Sequence, residues 1–263
     1  MRSPIKIHGG KFYLAPWIIS HFPENYEQLS YYEGFCGGAN VLFQKKPSAF
    51  EFISDVHPGL YAMYHHLKNN FKQFYCLVKD LPYERQTFEY FKKFKTKKSL
   101  NLAVKTFVLH RMSRGGMCED FAWSDRERGG LPGDVNAWNN SLLNLTKVSE
   151  RLQRVNLAKQ DFRKTIEDLE DNYAQNLIYL DPSYYSETRT SKKVYWYEMI
   201  DKDHIIMLEM LQNVKAKVVL SGYRHLVYDN ALKNWNRYDK LVPNHSGQNE
   251  TKNKRMESIW TNY

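Results

Sequence analysis

The stretch that most constrains this chain is Asn176 to Tyr185, which reads Asn-Leu-Ile-Tyr-Leu-Asp-Pro-Ser-Tyr-Tyr. Leu177, Ile178, Tyr179 and Leu180 form a short apolar run of the kind that makes a fully buried strand. Asp181-Pro182 stops it, because proline lacks the N–H that a continuing ladder needs and holds the residue before it extended. A carboxylate, a proline and two aromatic rings therefore stand at the carboxyl end of a buried strand, where open α/β sheets bind their ligands. A strand-terminating turn with Tyr184 and Tyr185 packed as ordinary aromatics satisfies the same residues. The rest of the chain decides between the two.

Strand and helix patterns alternate toward both ends of the chain. After Gly9-Gly10-Lys11, residues Leu14, Trp17, Ile18 and Phe22 fall on one helical face, and Pro23 closes the run. Ser30 to Phe35 reads as a strand running into the glycine turn Gly37-Gly38, and Ala39 to Phe43 as a helix or a turn-rich connection. A second strand, Ala49 to Ser54, ends on Asp55. Leu60, Met63, Tyr64, Leu67 and Phe71 mark one face of a helix predicted from Leu60 to Phe74. Alternation resumes at Arg154 with a strand to Gln160, ending at Asp161-Phe162, and a charged helix from Arg163 to Asn172. After the Asn176 strand come an amphipathic helix from Glu198 to Val214 and a buried strand, Lys217 to Ser221, ending at Gly222. Arg237 to Val242 and Ser258 to Tyr263 read as a closing antiparallel pair, with Asn244 to Lys254 as an exposed polar loop between them.

The middle of the chain is different. From about His65 to Gly130 it is dense in lysine, arginine and aromatics, including the run Lys92 to Lys98. Helices are predicted near Tyr83 to Phe94 and Leu100 to Met112, followed by an irregular piece from Ser113 to Asn140. A structureless loop of that length in a compact domain carries function or is disordered. The whole pattern is an α/β, doubly wound, mostly parallel sheet that carries an inserted module.

At 263 residues the chain can bury a substantial core as one large domain, or as one domain with a sizeable insertion. Its formal net charge of +9 points toward a polyanionic partner, nucleic acid before others. Cys36, Cys76 and Cys118 are widely spaced, so neither zinc-site spacing nor a disulfide framework is present, and no metal is expected. No apolar run approaches the roughly eighteen residues that a membrane helix needs. No apolar core follows Met1-Arg2-Ser3-Pro4-Ile5-Lys6. The expectation is a soluble protein that does not enter membranes, cytoplasmic in a bacterium or a phage-infected host cell.

Two further sites stand upstream of Asp181. Tyr32-Glu33-Gly34-Phe35-Cys36-Gly37-Gly38 leads a strand into glycines, which lets backbone approach a ligand closely. A tight strand-to-helix turn reads the same way. Asp55 ends the next strand, where an acidic residue commonly accepts hydrogen bonds from ribose hydroxyls; a helix-capping aspartate is the other reading. With no phosphate-loop lysine, the pair suits a ribose-bearing ligand that needs no phosphate cradle. S-adenosylmethionine fits that description better than ATP or NAD.

With these residues in view, the chain resembles the Dam-like (D12 class) N6-adenine-specific DNA methyltransferases of the phage and restriction-modification type. The resemblance rests on Gly9-Gly10-Lys11, Glu33-Gly34-Phe35-Cys36-Gly37-Gly38, Asp55, Asp181-Pro182-Ser183-Tyr184 and the terminal Asn262-Tyr263, in that order along the chain. It is thin across residues 75 to 150. Gly34 stands where the family has proline, Ser183 replaces the second proline of its Asp-Pro-Pro-Tyr motif, and Ile7-His8 stands where a pocket tryptophan is usual.

The resemblance implies a seven-stranded methyltransferase sheet. Residues 1–64 and 150–263 would form the catalytic domain, and residues 65–149 a mainly helical target-recognition insertion. It implies S-adenosyl-L-methionine as cofactor, with Lys11, Glu33, Phe35, Gly37, Asp55, Asp161, Phe162 and Asp181 on the cofactor side. Asp181 and the Pro182 carbonyl would each accept one N6–H of an extruded adenine, and Tyr184 would stack on the base. Double-stranded DNA would be the partner and the protein a monomer or weak dimer. Lys92, Lys93, Lys95, Lys97 and Lys98 would meet phosphates, and Arg111, Ser113, Arg114, Arg126 and Arg128 would read bases. The alternatives are an RNA-adenine or cytosine-N4 methyltransferase, or a non-catalytic nucleic-acid-binding relative.

Overall fold

The computed structural model describes residues 1–169, 175–188, 197–243 and 254–263. Its strands are β1 Ser30–Glu33, β2 Phe50–Ser54, β3 Glu127–Arg128, β4 Leu131–Pro132, β5 Asn156–Ala158, β6 Asn176–Leu180, β7 Lys217–Gly222, β8 Asn236–Pro243 and β9 Lys254–Thr261. Seven of them form one sheet in the order β5-β2-β1-β6-β7-β9-β8, and β3 pairs with β4 in a separate two-stranded sheet. The pairs β2/β5, β1/β6 and β6/β7 are parallel, whereas β7/β9 and β8/β9 are antiparallel. This is the doubly wound, mostly parallel, seven-stranded sheet that the sequence predicts. The helices are α1 Ala15–Ile19, α2 Asn40–Gln44, α3 Pro58–Asn69, α4 Phe71–Val78, α5 Arg85–Lys93, α6 Ser99–Met112, α7 Gly133–Leu152, α8 Phe162–Glu167, α9 Asp201–Asn213 and α10 Leu226–Ala231.

The chain divides into two compact units. One comprises Met1–His21, Cys36–Pro47 and Glu51–Lys159; the other comprises Phe22–Phe35, Ser48–Phe50 and Gln160–Tyr263.

In the first unit, α3 begins on Pro58 with His57 as its cap, the ring Nδ1 accepting from the Gly59 and Leu60 amides. It buries Leu60, Met63, Tyr64 and Leu67, as its apolar spacing requires, and packs along α6. The single helix predicted from Leu60 to Phe74 is in fact two. Asn70 leaves helical geometry (φ −136°, ψ 39°), and α4 starts afresh with Phe74 and Val78 buried. The irregular piece predicted from Ser113 to Asn140 is also shorter than expected. It holds a 3₁₀ turn at Arg114–Gly116 and the β3/β4 hairpin, and from Gly133 it is already α7. That helix escapes sequence reading because it opens on glycine and carries Asn136, Asn139 and Asn140, all weak helix formers. Tertiary burial of Trp138, Leu142, Leu145, Val148 and Leu152 supplies what propensity lacks.

A buried carboxylate ties this unit together. Glu51 of β2 accepts from Lys45 Nζ and from Arg151 Nη2 of α7, both at 2.6 Å. Burial by itself would raise the Glu51 carboxyl, but the bonds from Arg151 and Lys45 outweigh it and hold the group below its ordinary range.

In the second unit, β6 lies between parallel neighbours, and all five of its residues are buried. A strand covered on both faces takes an unbroken apolar run. The charged helix expected over Arg163 to Asn172 is described as α8, with 170–172 outside the described residues. α9 and β8 lie where predicted. β9 pairs antiparallel with β8 but begins at Lys254, four residues before the predicted Ser258, and residues 244–253 of the predicted loop are outside the described residues. α10 has no counterpart in the sequence reading; His225 caps it by accepting from the Val227 amide, and Tyr228 anchors it in the core.

Candidate active site

Asp181 is the first residue beyond β6 and is half-exposed. The β6/β7 register pairs Leu180 with Leu220, so the next residues along, Asp181 just past β6 and Ser221 within β7, lie side by side. Ser221 accordingly donates its hydroxyl to Asp181 Oδ1 at 2.7 Å. The Tyr179 hydroxyl lies 3.1 Å from Ser221 Oγ. A serine has one proton to give, and Asp181 receives it, so Tyr179 is the donor in that second contact. The chain Tyr179 to Ser221 to Asp181 holds one carboxylate oxygen from the buried side. Pro182 is buried behind it.

The two tyrosines that follow are each stacked on a ring from the loop after β7. Tyr184 lies on Tyr223, with centroids 3.9 Å apart and planes within 21°. Its hydroxyl donates to the buried Glu257 carboxylate at 3.0 and 3.2 Å. Tyr185 lies on His225, 4.1 Å between centroids. Ser183 Oγ accepts from the Met199 amide at 3.1 Å, tying the loop to the segment before α9.

Four more predicted residues, Glu33, Phe35, Asp161 and Phe162, belong to this unit. Glu33 ends β1, is buried, and accepts from the Tyr31 hydroxyl at 2.8 Å. Phe35 is half-exposed and stacks on the buried Phe162 at 5.3 Å. The Arg163 guanidinium lies 4.6 Å from the Phe162 centroid, so Phe35 is the ring of the pair that reaches solvent. Asp161 caps α8, with Oδ1 accepting from the Arg163 amide and guanidinium, each at 2.9 Å. Arg163 also pairs with Asp203.

The first unit holds Lys11, Gly37 and Asp55. Lys11 is buried, and its Nζ donates to the Gly9 carbonyl at 3.3 Å. The two glycine motifs meet. A Cβ on Gly10 would stand 3.0 Å from both Asn40 Nδ2 and Ile7 Cγ2, and one on Gly38 would stand 3.1 Å from the same two atoms. Ile7, in the region where the family has tryptophan, therefore fills the contact between the motifs. Gly37 has a left-handed backbone (φ 47°) and donates its amide to Asp55 Oδ2 at 2.9 Å, while its carbonyl accepts from the Tyr64 hydroxyl. Asp55 Oδ1 accepts from the His57 amide at 2.9 Å. Burial outweighs these bonds and raises the Asp55 carboxyl above its usual range.

The residues named for nucleic acid divide into two groups. Lys93, Lys95, Lys97, Lys98, Arg114 and Arg126 are exposed; Lys92 is exposed too, and donates to the Glu119 carbonyl. Arg111 and Ser113 are turned inward. Arg111 Nη2 donates to the Ala137 carbonyl at 2.6 Å, its Nε is buried with no hydrogen-bond partner, and burial lowers its guanidinium to about 10. Ser113 is fully buried and its hydroxyl oxygen accepts from the Cys118 amide. The Arg128 side chain lies outside the described residues.

Ser221, Tyr223 and Glu257 are site residues that the sequence reading did not name. The signal for the first two was present: Ser221-Gly222-Tyr223 ends a second buried strand, and the strand-end argument applied to Asp181 applies there equally. Glu257 carries no such signal, since its place opposite Tyr184 depends on β9. Among the described residues no helix is long and apolar enough to cross a membrane, and no group of three or more His, Cys, Asp or Glu side chains is placed to hold a metal.

The family model of the D12 class N6 adenine-specific DNA methyltransferases matches residues 8–242. No curated protein sequence matches the chain. Among solved structures, a conserved hypothetical protein from Streptococcus pyogenes is similar at 9% identity and a TM-score of 0.39, covering 95% of this chain and 96% of that one. The rRNA methyltransferase aviRa from Streptomyces viridochromogenes is similar at 12% identity and a TM-score of 0.42, covering 94% and 82% respectively. Likeness at that level says nothing about substrate. The family match spans most of the chain, and by it this chain belongs to the D12 class N6 adenine-specific DNA methyltransferases.

Proposed function

We propose that the protein transfers a methyl group from S-adenosylmethionine to adenine N6 at specific sites in double-stranded DNA, with the target base extruded from the duplex. The observation that carries this reading is the orientation of Asp181 by Ser221 and Tyr179 at the end of β6. The N6 amine is a poor nucleophile because its lone pair is delocalised into the purine ring. Asp181 and the Pro182 carbonyl accept one N6–H each, which fixes the amine and favours the pyramidal geometry that frees the lone pair. Tyr184 offers a ring for the extruded base to stack on.

The residues present suit the cofactor. Asp55 and Gly37 give a carboxylate beside a left-handed glycine turn, and Phe35 gives a ring open to solvent. Lys11, Glu33, Phe35, Gly37, Asp55, Asp161, Phe162 and Asp181 are the residues proposed to hold it. When bound, it supplies an electrophilic sulfonium methyl. The protein's part is then positioning and electrostatics.

Residues 65–149 are proposed as the target-recognition insertion. Its exposed lysines supply affinity for phosphates, and Arg114 and Arg126 are the arginines of the predicted set whose described side chains face solvent. The work would take place in the cytoplasm, by a monomer or weak dimer. Incubation with methyl-labelled cofactor and duplex DNA, followed by nucleoside analysis, tests the reading. Label in N6-methyladenine is the expected result; label only in cytosine, or only with RNA, would overturn it.

A further inference from the structure

In the unit that carries Asp181, the Tyr184 ring is constrained in two places. Glu257 of β9 accepts from its hydroxyl at 3.0 and 3.2 Å, and Tyr223 covers a face of the ring at 3.9 Å. The Arg255 charge acts on the Tyr223 hydroxyl. Arg255 and Glu257 stand two positions apart on β9, so they project from the same face of the sheet. One strand therefore anchors the Tyr184 phenol through a carboxylate and sets a cation near the Tyr223 phenol.

We propose that Tyr223 is a positioning residue that, together with Glu257, makes Tyr184 one half of a two-ring platform set in place before the target base arrives. The inference rests on the reading of Tyr184 as the ring that receives the base. A lone tyrosine on a loop turns about two side-chain torsions and loses that freedom when a base stacks on it. Here the second ring and the buried carboxylate have already removed it. Parallel stacking at this separation leaves no gap for a purine between the two rings, so the base takes the other face of Tyr184. The anchoring of the Tyr184 hydroxyl to β9, with the stacked second ring, argues for a fixed support over a ring that swings aside.

The test uses the full-length protein with plasmid DNA and methyl-labelled S-adenosylmethionine, measuring single-turnover methylation and, separately, DNA affinity. Tyr223→Leu is expected to slow methylation about three- to tenfold, the size of a lost aromatic pair, at unchanged DNA affinity. Tyr223→Phe keeps the ring and is expected to restore most of the rate. Glu257→Gln, which leaves the stack in place, is expected to slow methylation without weakening DNA binding, and it serves as the second probe should the leucine variant not fold. Methylation by Tyr223→Leu at the parental rate or faster, as a ring that merely fills the base's place would give, overturns the proposal. So does a loss of DNA affinity equal to the loss of rate, or an unaltered rate in Glu257→Gln. The parental protein, run alongside, separates two failures: no methyl on adenine removes the functional reading and this inference together, whereas an active parent with an unimpaired Tyr223→Leu removes only the platform.

Discussion

Ser221 donates its hydroxyl to Asp181 Oδ1 at 2.7 Å, across two parallel strands whose register places their ends side by side. The bond sets the direction of the carboxylate on which the proposed chemistry depends. Ser221→Ala removes that donor and with it the contact to the Tyr179 hydroxyl. A hydrogen bond to a charged group is worth about 1.5–3 kcal/mol, so methylation should slow by roughly ten- to a hundredfold with DNA affinity unchanged. Single-turnover rates measured beside filter-binding isotherms check this; equal losses in both would move Ser221 out of the site.

Glu51 is buried between Lys45 and Arg151, so its removal leaves two cations without their shared anion. Glu51→Ala should cost about 3–5 kcal/mol of stability. Chemical denaturation of parent and variant measures the difference, and a change under about 1 kcal/mol would show that the triad contributes little.

His110 is buried and donates from Nδ1 to the Gly116 carbonyl at 3.0 Å. Burial, with repulsion from His57, lowers its imidazole to about 4 from an ordinary 6.5. Between those values the unfolded chain binds a proton that the folded chain refuses. The stability this group contributes is therefore whole above about pH 6.5 and is lost as pH falls toward 4, by an order of 3 kcal/mol in full. Denaturation midpoints across that range, compared with His110→Gln, test the assignment: the variant should lose part of the acid sensitivity. An identical pH profile would assign it elsewhere.

Arg114 and Arg126 face solvent, whereas Arg111 is held against the Ala137 carbonyl. Replacing Arg114 or Arg126 with alanine should weaken DNA binding, by about 1–3 kcal/mol where the arginine reads a base, without shifting the melting temperature. Arg111→Ala should do the reverse, lowering stability first. Melting curves and binding isotherms on the three variants separate the two kinds of arginine.

The strand that carries Asp181 was legible because an unbroken apolar run between parallel neighbours has a simple signature, and so was the order of the elements around it. α7 was not, because asparagines hid a helix that tertiary burial sustains. The two proline departures from the family motifs, Gly34 and Ser183, also find physical reasons only in three dimensions. A Cβ on Gly34 would stand 2.9 Å from Leu180 Cδ2, so a proline there requires the core to shift. Ser183 accepts from the Met199 amide through a hydroxyl that proline lacks. Neither contact joins residues near in sequence, which is why periodicity and motif spacing were silent about both. The same holds for Glu257, which meets Tyr184 from 73 residues away.

The central claim is that Asp181 holds the amine to be methylated. Its most direct test is single-turnover methylation of duplex DNA by Asp181→Ala against the parental protein, with DNA and cofactor affinities measured on both. The account predicts N6-methyladenine from the parent, a loss of at least about a thousandfold in rate for the variant, since two or more donors and acceptors act together at such a site, and DNA affinity within a few-fold of the parent. Methylation of adenine at a comparable rate by Asp181→Ala would contradict it.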